Sequence, residues 1–415
     1  MRRTGVEEDG AYRVEVLPGI DAVPEALWRA LAPADDPMWS RAVFAAMERA
    51  AIGPDAYAYL VVRHAGRPVA VLPLSVFRGL RADRIVGPRE RRLLAPVSRV
   101  APRLLRVPTL FCGHLLGQGH VLGGLGARAD GGAPARVLVA SVLEYARARR
   151  LGTVVFKDFA PDELAPLADA LRDAGFFSVP AMPDTELALP HSSFDDYVAA
   201  LPAKPRRNAR AKLRRFAAHR PALRIEVLDD FAHLVPAMLG LYRQVMDRAD
   251  QALDELDAAF LTALRPAPGL RVRLVACFEG ERLVAFLLCL FSGTGATGAR
   301  IGLDYALAHD AHLWHNVHYA AIRLALAEGC RHIRFAQTAY VPKVELGCGL
   351  VAQRHAMTHV RPLPRALLRR LLPPALGAAL TDALGPHADR LPAPPGPGAT
   401  PPPPHPESRR APCPE

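Results

Sequence analysis

The sequence predicts an α/β (α+β) protein of two tandem units, each a mixed twisted sheet flanked by helices, ending in a Pro-rich disordered tail. Three observations carry this: a hairpin pattern that occurs twice, a helix-to-strand pattern that follows each hairpin, and a change of composition after about residue 361. At 415 residues the chain is too long for one ordinary core and suits two domains.

The repeat sets the element order. "LVVRHAGRPVAVLPLSVF" (residues 60–77) and "LVACFEGERLVAFLLCLF" (274–291) are each two apolar, β-branched runs around a Gly-containing turn, the signature of a β-hairpin. Downstream, "VLEYARARRLGTVVFKDF" (142–159) and "AIRLALAEGCRHIRFAQT" (321–338) each read as a helix leading into a strand. The offset between copies falls from 215 at the hairpin to 179 at the helix, so the first copy carries about 36 extra residues. They coincide with a basic, Pro-containing zone. The expected domains are therefore 11–190, with a basic insertion at 79–111, and 191–361. A helical, basic, amphipathic segment follows at 362–387, then the tail at 388–415. Within each unit the order is helices, hairpin, strand, helix and strand, which suits a mixed sheet with helices on its faces.

Charge is concentrated in two places. The net charge is +11, and "AKPRRNARAKLRRFAAHR" (203–220) holds eight Lys or Arg with no acid. Residues 79–111 hold eight Arg against Asp83 and Glu90, and the rest of the chain is slightly acidic. Such clustering favours phosphate esters, nucleic acid or an acidic membrane face. Read as a helix, the run has Pro205 in its first turn and one narrow apolar stripe of Ala209, Leu213, Phe216 and Ala217, leaving Arg206, Arg207, Asn208 and Arg210 for an anionic ligand. A merely solvated basic face is the alternative. The six cysteines (Cys112, Cys277, Cys289, Cys330, Cys348 and Cys413) show no paired spacing, and the N-terminus has no apolar signal region, so a cytoplasmic protein with reduced thiols is expected.

Candidate chemistry lies mainly in the second unit. In "RFAQTAYVPKVELGCGL" (334–350), Gln337, Thr338 and Tyr340 follow a strand, where open sheets place ligands. Lys343 offers a cation for an oxyanion or phosphate, and Gly347 would admit close backbone approach. In "GLDYA", Asp304 is a candidate base and Tyr305 a candidate acid. Lys157 and Asp158 end the equivalent strand of the first unit and would hold an acceptor. His309, His312, His315 and His318, at steps of three, sweep round a helix instead of converging, so no metal is expected. No P-loop, nucleophile elbow or dinucleotide fingerprint in its required context is present.

Three motifs resemble the double GNAT-type acyltransferases, a group that includes the Fem-type peptidyltransferases of cell-wall synthesis. They are "HSSFDDYVAALPAKPRRNARAKLRRF", "PMWS" from Pro37, and the 334–350 segment. The resemblance spans roughly residues 14–361. It implies two tandem GNAT-like units, an acyl-CoA or aminoacyl-tRNA donor, and a small-molecule or cell-envelope amine as acceptor. On this reading the active site lies in the second unit, with Lys343 and backbone N–H groups on the oxyanion, Asp304 or a substrate phosphate taking the proton, and Tyr305 and Tyr340 completing the catalytic set. One departure bears on the donor. Ordinary GNAT enzymes hold pyrophosphate at a helix N-terminus with a Gly-containing loop, yet the second unit reads "LDYALAHDAHLWHNVHY" there. A non-catalytic RNA- or anionic-surface-binding protein on the same fold is the alternative, and the 362–387 segment adds peripheral contact with an anionic membrane as a possible partner mode.

Overall fold

The computed structural model describes residues 12–50, 52–81, 95–96, 99–100, 102–125, 132–248 and 256–391. Its strands are β1 (Tyr12–Leu17), β2 (Ala56–His64), β3 (Arg67–Arg81), β4 (Arg106–Cys112), β5 (Leu122–Gly123), β6 (Thr153–Phe159), β7 (Phe177–Pro180), β8 (Asp184–Ala188), β9 (Leu223–Leu228), β10 (Arg271–Glu279), β11 (Arg282–Ser292), β12 (Gly295–Leu303), β13 (His332–Arg334), β14 (Gly349–Val351) and β15 (Arg354–His359). Both repeated hairpins are present. β2 pairs antiparallel with β3 and β10 with β11. The first turns on Ala65 and Gly66, both at positive φ, as a two-residue loop matched to strand twist requires.

Each hairpin extends into a mixed sheet. Helix Ala133–Ala148 carries the chain from β4 to its parallel partner β6, and helix Leu313–Ala327 carries it from β12 to parallel β13. Parallel neighbours need such a crossover, so the helix-to-strand pattern found twice in the sequence is the connection itself.

The strand order departs from the expected boundary. The first sheet runs β1-β2-β3-β4-β6-β15-β7, with β5 beside β3, and the second runs β14-β8-β13-β12-β11-β10-β9. The units therefore exchange strands. β8 leaves the first unit to pair with β13 and β14, and β15 returns from the end of the second to lie between β6 and β7. A cut at residue 190 would separate neither sheet from the other, because sequence self-similarity locates copies of a pattern and not the sheet each strand joins.

Apolar layers cover both faces of each sheet. One core lies between the first sheet and helix Ala133–Ala148, another between the second sheet and helix Leu313–Ala327. A third joins the units, with Met47, Phe77, Phe111 and Val179 packing in one cluster with Met238, Phe260, Phe286 and Met357. The backbones also cross closely. A Cβ on Gly295 would lie 1.6 Å from the Asp35 carbonyl oxygen, so β12 passes the Asp35 loop only as glycine.

Two further expectations change. β3 and β4 extend into the 79–111 zone, while residues 82–94, 97–98 and 101 lie outside the described residues. The 362–387 segment contains one continuous helix, Pro362–Leu384, despite Pro373 and Pro374 within it. Its Leu368, Leu372 and Leu376 pack on the joining core, which supplies the stability the prolines remove. The start of the tail is ordered: Ala388 and Leu391 pack on Tyr340, Val344, Leu350 and Leu384. Residues 392–415 lie outside the described residues.

Candidate active site

A small cleft opens where the units meet, walled by Asp36, Gln118, Asp184, Thr297, Arg300 and Arg334. The first two come from loops of the first unit and the others from β8, β12 and β13. The Asp36 loop is held from several sides. Asp36 Oδ1 accepts from Met38 N at 3.0 Å, His114 Nε2 meets the Met38 carbonyl at 2.9 Å, and Trp39 Nε1 donates to the Gln118 carbonyl at 3.0 Å. The "PMWS" motif thus builds one wall. Arg334 then ties the walls together, donating to Asp36 Oδ2 at 3.0 Å and to Glu186 Oε2 at 2.8 Å. Burial opposes its charge, but Asp36 and Glu186 outweigh it and hold the guanidinium firmly protonated.

Asp184 is the titratable group set apart by this cleft. Burial pushes its carboxyl up to about 6, although Arg334, the Thr185 N–H at 2.6 Å and Lys343 all favour the ionised form. On β12 the register with β11 shifts between Leu288 and Cys289, which makes Ala299 the extra residue of a bulge. A bulged residue is left out of the ladder pairing, and Ala299 lines the same cleft.

The structure brings part of the sequence-derived set together. Lys157 and Asp158 end β6, and the Gln337 side chain reaches the Asp158 carboxylate from the other unit. Burial disfavours that carboxylate, but Lys157 and His355 outweigh it and hold the pKa low. Gln337 also donates to the Met182 carbonyl at 3.0 Å and to Gln353 Oε1 at 2.9 Å. Asp158, Ala336, Thr338 and Ala339 all have positive φ, so backbone strain concentrates where the two strand ends meet.

Lys343 serves this turn. Its Nζ is buried and donates to the carbonyls of Ala336 at 3.0 Å and Gln337 at 2.8 Å. Burial lowers its pKa to about 8. These bonds make it a clamp on the strained turn beside the cleft. Tyr340 is also structural in geometry, donating to the Pro183 carbonyl at 2.9 Å, with burial raising its pKa. Thr338 is exposed, and Gly347 sits at positive φ against Leu201, at the far end of helix Tyr340–Glu345. Asp304 caps the short helix Tyr305–Ala308 through Ala306 N at 2.9 Å and pairs with Arg282 at 2.8 Å. Tyr305 is exposed beneath Arg248. Neither of these two lines the cleft.

The basic run is helix Ala203–Ala217, starting two residues before Pro205. Ala209 is buried, and Leu213 and Phe216 pack on the second-unit core, while Ala217 is exposed. Glu345 docks the helix, accepting from Asn208 at 2.8 Å and from Lys212 at 2.7 Å. Arg206 is spent on the Ala199 carbonyl at 2.7 Å, but Arg207, Arg210 and Arg214 are exposed and form no ion pair among the described residues. Of the histidines, His312 precedes helix Leu313–Ala327 at φ 50°, His315 meets Lys212 at 2.7 Å, and His318 stacks on Trp314 at 3.7 Å. Burial lowers His315 to about 4 and His318 to about 3, which suits neutral imidazoles packed in place.

Residues 203–341, from the basic helix to the turn after β13, match the family model described as "Acetyltransferase (GNAT) domain". The match covers about a third of the chain and lies within its second unit. Among solved structures, FemX is 10% identical, over 82% of this chain and 96% of that one, with a TM-score of 0.53. A conserved protein of unknown function from Bacteroides thetaiotaomicron is 13% identical, over 81% and 96%, at 0.51. A tandem GNAT protein from the clavulanic acid biosynthesis pathway is 14% identical, over 84% and 99%, at 0.47. No curated protein matches the sequence. The chain thus has the Fem-like fold that the motifs implied.

In the second unit, the space beside Gly298 on β12 is filled. The Phe335 ring lies where a Cβ on Gly298 would be 2.7 Å from it, and His318 and Trp314 stack behind. The residues that wall the cleft went unnoticed in sequence. The available signal was charge inside a short apolar strand: Arg334 in "HIRFA" and Asp184 in "PDTELAL" are burials that demand partners.

Proposed function

We propose that the protein is an N-acyltransferase that acylates a primary amine in the cleft between its two units. The observation that carries this reading is Asp184, a carboxyl buried in the cleft wall and pushed up to about 6. A base with that pKa is ionised at neutral pH and still basic enough to relieve an attacking amine of its proton. The amine nitrogen attacks the donor carbonyl, the Asp184 carboxylate takes the nitrogen proton, and the C–S or C–O bond to the donor breaks. The leaving thiolate or ribose oxygen then takes a proton, and the amide is released. The bulged Ala299 N–H would face the developing oxyanion.

In this reading Asp184 takes the role that the sequence suggested for Asp304, and Tyr305 has no part. Lys343 and Tyr340 act by holding the 336–339 turn, and Lys157, Asp158 and Gln337 position the acceptor. The exposed Arg207, Arg210 and Arg214 suit a phosphate-bearing donor, which is acyl-CoA or aminoacyl-tRNA. The motif resemblance to Fem-type enzymes favours a small-molecule or cell-envelope amine as acceptor.

The test is a thermal-shift series with acetyl-CoA, longer acyl-CoAs and aminoacyl-tRNA at fixed ionic strength, followed by a thiol-release assay over a panel of amines. A stabilising donor, with turnover that falls about 10²- to 10⁴-fold in Asp184→Asn, is the expected result. If no donor stabilises the chain while RNA binds in a salt-sensitive way, the reading gives way to a non-catalytic binder.

A further inference from the structure

The helix Pro362–Leu384 is apolar on two sides. Its inner side carries Leu368, Leu372 and Leu376 onto the joining core, and Leu380 and Leu384 onto Tyr340 and Val344. Its outer side carries Leu363, Leu367 and Leu371, which are 83%, 58% and 54% exposed. Spaced by four, these three lie one above another on a single face. Exposed leucines scattered singly need no explanation, but a row of three on one helix face marks a contact surface.

The charge around the row says what kind. The segment holds Arg365, Arg369 and Arg370 and no acid before Asp382. Arg361, Arg369 and Arg370 are exposed and form no ion pair among the described residues. Arg370, seven residues after Leu363 and three after Leu367, lies within the leucine row itself. A two-fold dimer through this face would set each patch against itself and bring like charges together. Residues 392–415 hold Pro, Gly and polar residues with no large aliphatic or aromatic side chain to cover leucines. A bilayer interface supplies both partners at once: acyl chains for the leucines and headgroup phosphates for the arginines. Among the described residues no helix is long and apolar enough to cross a membrane.

We infer that the outer face of Pro362–Leu384 docks the protein on an anionic lipid surface, with Leu363, Leu367 and Leu371 entering the interface and Arg370 contacting headgroup phosphates. The contact lies outside the cleft and stands whether or not the acyl-transfer reading does.

The experiment is co-sedimentation of the full chain with phosphatidylcholine vesicles and with vesicles containing phosphatidylglycerol. Binding should require phosphatidylglycerol and weaken with salt. In Arg370→Gln the partition coefficient should fall about fivefold. In Leu363→Ser/Leu367→Ser/Leu371→Ser it should fall at least tenfold. All four positions are exposed, so both variants should keep the wild-type melting temperature, measured in parallel. The inference is overturned if wild type ignores phosphatidylglycerol vesicles, or if the correctly folded leucine variant binds them as wild type does. It is equally overturned if light scattering without lipid shows a dimer that the leucine substitutions abolish, which would assign the face to a second copy.

Discussion

Replacing Asp184 by Asn should make the protein more stable and nearly inactive. Asn keeps an Oδ1 to accept from Thr185 N, now at 2.6 Å, and removes only the charge. The Asp184 carboxyl is raised from 3.8 to about 6, so the folded state disfavours its ionised form by about 3 kcal/mol. The sign follows from proton counts. Below about pH 4 both states are protonated and the residue costs nothing. Between about pH 4 and 6 the unfolded chain has lost the proton and the folded chain has kept it, so wild-type stability falls as pH rises; above about 6 the full cost is present. Urea unfolding at pH 8 should place Asp184→Asn above wild type by up to about 3 kcal/mol, and the gap should close by pH 4. Over the same range wild-type kcat/KM should rise to a plateau above about pH 6 while the variant stays low. A variant less stable than wild type at pH 8, or a gap independent of pH, would refute the assignment of a raised carboxyl pKa at this wall.

Three further outcomes are expected. Lys343→Met leaves the Gln337 carbonyl without its buried donor and should cost about 2 kcal/mol in urea unfolding, with kcat/KM falling as the 336–339 turn relaxes. Glu345→Gln removes the ion pair that docks Lys212; because both groups are partly solvated the loss should be only about 1 kcal/mol, but limited proteolysis should cut within 203–217 faster than in wild type. Arg207→Ala/Arg210→Ala/Arg214→Ala should leave stability within about 0.5 kcal/mol, since these side chains are exposed, while weakening a phosphate-bearing donor. If that donor is a tRNA, the slope of log affinity against log salt should shrink by about 3, and an unchanged slope would leave these arginines to solvent.

Much of the architecture was legible because it rests on short-range pattern. The hairpins announce themselves by alternation around a turn, and the crossover helices by their passage into strands. The basic helix was readable for the same reason, and its apolar stripe of Ala209, Leu213 and Phe216 is the face that docks. The cleft was far less so. Asp36, Asp184 and Arg334 are distant in sequence and meet because β8 enters the second sheet and the Asp35 loop packs on β12, and neither event has a local signature. Lys343 shows the converse limit. Its place shortly after β13 followed from sequence, but its occupation by two backbone carbonyls depends on the strained turn at Ala336–Ala339, which no propensity foretells.

The exchanged strands also set a timetable for the nascent chain. β6 ends at Phe159 and waits for a neighbour that begins at Arg354, so the first sheet stays open while about 195 further residues are made. At roughly 5–20 residues per second that wait lasts on the order of 10–40 s. Throughout it β6 and β7 present unpaired backbone edges, the kind of surface that recruits other strands. The protein is therefore most exposed to aggregation before its last sheet strand leaves the ribosome, and ribosome-associated chaperones have most to do for it during that interval.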